Sequence, residues 1–198
     1  MKSIKAAASW LPIIASAWAL TACTPVVTGA STRSADANPI TSGPKVGRCH
    51  MGGCGWFEIR SFQVVRETSD GALIRLDMRD GGSKDTDRRD RNSSRGVKID
   101  WGPYRNDEYV FCSTRLPAVI SRAEGGAGWD AYRIDLLSPS GASQYVTNVY
   151  SHVCHSGEDV EAEGAAERLG YRSVEADESG DYVIRLSSPE AIFDHQGR

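Results

Sequence analysis

The chain is poor in lysine. Lys2, Lys5, Lys45, Lys84 and Lys98 are the only ones, and arginine carries the rest of the positive charge. That imbalance reads as codon composition rather than function. No basic stripe is long enough to follow a phosphate backbone, and the net charge is −3, so nucleic-acid binding is excluded as an expectation. No apolar run reaches the ~20 residues of a spanning helix. There is no internal repeat, no G-x-S-x-G nucleophile turn and no C-x-x-C-H haem attachment site. Hydrophobic and charged fractions are ordinary, so a folded domain is expected rather than disorder.

What is present begins with a tripartite leader. Lys2 and Lys5 form a positive segment, and residues 6–20 form an apolar stretch of signal-peptide length. Leu20-Thr21-Ala22-Cys23 follows: an aliphatic residue, two small ones, then cysteine. This resembles the lipobox of bacterial lipoproteins. The resemblance implies cleavage before Cys23, a diacylglycerol thioether on its sulfur and acylation of the new amine. One acyl chain holds a protein marginally, and two or three hold it firmly, at ~0.8 kcal/mol per buried methylene. Thr24 stands where an aspartate often marks inner-membrane retention. The resemblance therefore implies the outer membrane of a Gram-negative-type cell, with the protein facing the periplasm or the surface. Its expected partners are the membrane, through the lipid, and an envelope protein. Removing Lys2 and Lys5 takes the net charge from −3 to −5. Such a domain has no second hold on anionic lipid.

The predicted organisation is a signal peptide over 1–22, a lipidated N-terminus and tether over 23–47, and one globular domain over 48–198. The tether is dominated by Ser, Thr, Ala, Gly and Pro and has no apolar period. Within the domain, residues 56–65 read as a strand, with Gly71 near the next turn. Ile74, Leu76 and Met78 alternate with Arg75 and Asp77. Val97, Ile99 and Trp101 do the same, as do Tyr132, Ile134 and Leu136, and Tyr182, Ile184 and Leu186. Residues 109–113 read as a short strand, and 145–150 as another on their β-branched and aromatic content. One helix is predicted from a cap at Ser156, through Ala162, Ala165 and Ala166, to Leu169 with Gly170 as the stop. The fold class is mainly β: an antiparallel sandwich or small open barrel with one short helix.

Residues 79–95 interleave both signs of charge and read as a solvated loop. A calcium reading of Asp80, Asp85, Asp87 and Asp90 lacks EF-hand spacing, and arginines oppose it. Four cysteines remain beyond Cys23, an even number in an oxidising compartment, so disulfides are expected. Cys49–Cys54 with Cys112–Cys154 is preferred, because Gly52 and Gly53 permit a tight local turn. Cys54–Cys112 with Cys49–Cys154 stays open.

The leading function class is a non-catalytic periplasmic binding or envelope-assembly domain, with no cofactor beyond the covalent lipid. Trp56, Trp101, Trp129 and Tyr132 could form its recognition surface, although such residues are more often core. The alternative class is copper or zinc handling through Cys49, His50, Met51, His152 and His155, which needs free thiolates. A minor alternative rests on Ser140-Gly141-Ala142-Ser143-Gln144-Tyr145. It resembles the S-G-x-x-x-Y loop of the periplasmic inhibitors of c-type lysozyme, small disulfide-bonded β-barrels. Binding would then run through Ser140, Gly141 and Tyr145. The lysine-glycine strand motif of that family is absent.

Overall fold

The structure is a computed structural model that describes residues 43–84, 94–156, 160, 162–174 and 182–195. Two long strands dominate it. β2 (Gly53–Thr68) and β3 (Gly71–Lys84) form a hairpin that turns at Gly71. Gly71 has φ +150, and a Cβ there would lie 2.6 Å from the Cys112 carbonyl oxygen, so the turn requires glycine. β1 (Lys45–His50) pairs with the start of β2. On the other side of β3 lie β4 (Asp100–Trp101) and β5 (Arg105–Cys112). β6 (Ala118–Arg122), β7 (Trp129–Arg133) and β8 (Val183–Leu186) complete one antiparallel sheet. Its lateral order is β1-β2-β3-β5-β6-β7-β8, with β4 beside β3. Among the described residues β1 and β8 do not pair with each other, so the sheet is open.

Both faces of the sheet carry core. On one face Phe57, Ile59, Leu76 and Val110 pack against Val149, Tyr150 and Val153 of helix α1 (Gln144–Cys154). On the other face Leu73, Phe111, Ile120 and Trp129 pack beneath Ile192 of a C-terminal 3-10 helix, Pro189–His195. Neighbours in sequence point to opposite faces of a strand. Leu73 and Ile74, or Val110 and Phe111, therefore divide between the two clusters. β6 buries Ala118, Val119 and Ile120 together, so it has no polar–apolar alternation to betray it.

Several sequence expectations are corrected. Residues 145–150 are helix, not strand. Val146, Val149, Tyr150 and Val153 recur at i, i+3, i+4 and i+7, and packing of that stripe overrides the weak helix propensity of valine. The turn before α1 is built by Ser140, whose carbonyl accepts the Ser143 N–H at 3.0 Å. The helix expected to begin at Ser156 is reduced to α2 (Ala165–Arg168), because Gly164 is left-handed at φ +68 immediately before it. Gly170, at φ +85, does end it. Arg79 to Lys84 belong to β3, not to a loop; Asp85, Asp87 and Asp90 lie outside the described residues. β1 starts at Lys45, inside the segment read as tether. β7 stops at Arg133. Ile134 and Leu136 are buried beyond it, in a turn where Asp135 Oδ1 accepts the Leu137 N–H at 3.0 Å.

The cysteines pair as preferred. Cys49 and Cys54 are opposite each other in the β1–β2 register, with Cα atoms 4.0 Å apart. Cys112 and Cys154 join the end of β5 to the end of α1, with Cα atoms 5.6 Å apart.

Candidate functional site

The β2–β3 register places Glu58 opposite Arg79 on the sheet face away from α1. Arg79 Nε donates to Glu58 Oε2 at 2.6 Å, and the Tyr104 hydroxyl donates to the same oxygen at 2.7 Å. The Arg79 guanidinium lies 4.5 Å from the Trp101 ring centroid and 4.7 Å from that of Tyr104. Arg60 lies 4.3 Å from the Tyr104 ring and holds Asp77 with Nε at 2.7 Å. Cation–π and charge-assisted contacts thus reinforce one another across three strands. The Tyr104 hydroxyl is pushed above the usual phenol pKa, chiefly by its bond to Glu58.

Two β-bulges meet at one rung of β3. Ile59 pairs with Met78 and Ser61 with Asp77, so Arg60 is an extra residue in β2. Leu76 pairs with Glu108 and Met78 with Arg105, so β5 places Asn106 and Asp107 against Asp77 alone. Bulges re-aim side chains, and they cluster near functional sites. Here they open a depression of about 380 Å³, lined by Arg60, Gln63, Arg75, Asp77, Arg105 and Asn106. Three of those residues are arginines and one is a carboxylate. Arg60 and Arg105 have acidic partners. Arg75 instead donates to Gln63 Oε1 at 2.6 Å, and among the described residues no carboxylate pairs with it.

Below the depression Arg105 bonds Asp80 and reaches Glu108 Oε1 at 3.2 Å. Burial, with Asp80 and Asp107 nearby, raises the Glu108 carboxyl to about 7 despite Arg105. The folded protein therefore holds a proton on Glu108, between about pH 4.3 and 7, that the unfolded chain releases. Stability from this group is full below that window and is lost as pH rises through 7. The expected loss between pH 5 and pH 8 is on the order of 2 kcal/mol. Glu108→Gln should remove that slope in urea titrations at the two pH values. An unchanged slope in the variant would sink the assignment.

No family model matches this chain, and neither do curated proteins or solved structures. The site must therefore be judged on its own geometry.

The residues singled out in the sequence fall elsewhere. Ser140 and Gly141 are exposed on the turn into α1. Tyr145, in the first turn of α1, sends its hydroxyl to Asp80, and burial, reinforced by that bond, drives its pKa upward. The S-G-x-x-x-Y stretch is thus a helix start whose tyrosine is engaged internally. Cys49 and Cys54 are bonded to each other, and His50 and Met51 sit at the β1–β2 tip. His152 packs edge-on to Phe57 with ring centroids 6.0 Å apart. His155 Nε2 meets the Tyr171 hydroxyl at 2.5 Å, and Tyr171 meets Tyr150 at 2.9 Å. Burial pushes the Tyr171 phenol up to about 12. Among the described residues no group of three or more His, Cys, Asp or Glu side chains could hold a metal ion. Trp56 and Trp129 are core, and Trp56 Nε1 donates to Ser83 Oγ at 2.8 Å. Trp101 supports Arg79, and Tyr132 is partly exposed. Cys23 lies outside the described residues.

The arginine and tyrosine cluster was not among the sequence candidates. Its only advance signal is the outward set Arg75, Asp77 and Arg79. Tyr104 and Arg105 reach it through a β5 bulge that no spacing announces.

Proposed function

We propose that this chain is a lipid-anchored protein of the outer membrane. Its β domain then serves as a non-catalytic binding or envelope-assembly module on the periplasmic or surface side. The observation that carries the reading is the leader: Lys2 and Lys5, the apolar stretch, and Leu20-Thr21-Ala22-Cys23. Two cysteine pairs at disulfide distance accord with an oxidising compartment. Among the described residues no helix is long and apolar enough to cross a membrane. The arginine-lined depression supports binding, because its side chains are set to receive a ligand's charge.

Lipidation makes a direct prediction. The wild-type protein should partition into the detergent phase, and globomycin should trap its precursor. Cys23→Ala should move it to the aqueous phase with the domain intact, since a protein without acyl chains loses the whole membrane hold. An unmodified Cys23 thiol, seen by intact mass in the wild-type protein, would overturn the anchor.

A further inference from the structure

We propose that the depression at the double bulge binds an anionic sugar, a single ring bearing a carboxylate or a phosphate. This rests on the binding-module reading and names its ligand class.

The chain is net negative, at −3, yet Arg60 and Arg75 line this depression with Asp77 as its one lining carboxylate among the described residues. The guanidinium of Arg105, also at its margin, is held by Asp80 and Glu108. A guanidinium presents a planar fork of donors that matches a carboxylate or a phosphate. Arg75 is the arginine best placed for this, because among the described residues its hydrogen-bond partner is the neutral Gln63, which is easily exchanged. Arg60, 60% exposed, can turn spare donors toward the same anion.

The depression lies over β3, β5 and the stretch of β2 beyond Phe57, where the pairing with β1 has ended. Inside the hollow, recognition comes from side chains. Gln63 and Asn106 amides, the Ser61 hydroxyl and the Tyr104 ring line the site with the arginines. Amides and a hydroxyl can exchange hydrogen bonds with ring hydroxyls. The volume, about 380 Å³, sits at the low end of the ~300–1,000 Å³ of small-molecule sites.

Two bulges on either side of Asp77 make the hollow, and without them β2 and β5 would continue flat across it.

The test is calorimetric titration of the full-length lipidated protein in a detergent without sugar headgroups. The probes are glucuronate, glucose 6-phosphate, glucose, acetate and inorganic phosphate. At least one anionic sugar should bind about tenfold more tightly than glucose and than its own free anion, and the tighter of the two identifies the anion. Arg75→Gln should weaken it by about tenfold to a hundredfold, the loss of a charged hydrogen-bond partner. Asn106→Trp, which fills the hollow from an exposed position, should weaken it as much and serves if Arg75→Gln fails to fold. Arg172→Gln, an exposed site outside the depression with the same charge change, should leave binding within about twofold of wild type. Silence toward both anionic sugars overturns the proposal, as does equal binding of acetate or phosphate alone. Equal loss in Arg172→Gln also overturns it, since binding would then follow net charge. The anchor is judged separately by Cys23: sugar-binding failure with Cys23 acylated removes this ligand and leaves the anchored module.

Discussion

Replacing Cys112 and Cys154 together by alanine is expected to destabilise the domain by about 4 kcal/mol, the loop-closure entropy of 42 residues of separation. The bridge fastens the last residue of β5 to the last residue of α1, across the core that α1 covers. Without it the unfolded chain gains the freedom of that whole loop. The matching change at Cys49 and Cys54, only five residues apart in sequence, should cost about 2 kcal/mol. Urea midpoints of the two double variants, read against the oxidised parent, provide the comparison. Equal losses would contradict the loop-length account, and a larger loss at Cys49 and Cys54 would contradict the pairing itself.

Phe111→Ala should be as severe, at about 3–5 kcal/mol. Phe111 is fully buried one residue before Cys112 and points to the opposite face of the sheet. Its ring meets Phe193 of the C-terminal 3-10 helix edge-on, with centroids 5.1 Å apart. Truncation leaves a cavity at the centre of the second core and removes the seat of that helix. Amide exchange should then show loss of protection over Pro189–His195 together with the drop in stability. Retained protection there with a loss below about 1 kcal/mol would show that the helix is held by other contacts. β5 thus serves both cores, through Val110 and Cys112 on one side and Phe111 on the other.

The two results bear on what was readable beforehand. Disulfide pairing was legible because spacing and glycine content act locally at Cys49 and Cys54. Alternation in residues 74–78 and 182–186 was legible because one face of each strand is more polar than the other. Residues 145–150 misled because valine, threonine and tyrosine favour strands while their spacing favours a helix, and packing decided in favour of spacing. The arginine cluster was hidden for a different reason. Arg60, Arg79 and Tyr104 meet only after β2, β3 and β5 fix their register, bulges included. A bulge of one residue reverses which side chains face outward, and nothing in the local sequence marks where it falls.

The chain enters the sheet through β1, an edge strand that begins at Lys45. Asn148 of α1 donates to the Gly47 carbonyl at 2.6 Å, and the Tyr145 ring lies so close that Gly47 has no room for a side chain. A pull on the preceding segment would load this edge first and peel it from Lys45 onward, one rung after another. The covalent rung at Cys49 and Cys54 stops that peeling within the first strand. A domain held by its N-terminus at a moving surface would therefore carry a built-in mechanical stop, which hands the load from Cys49 to Cys54 at the start of β2.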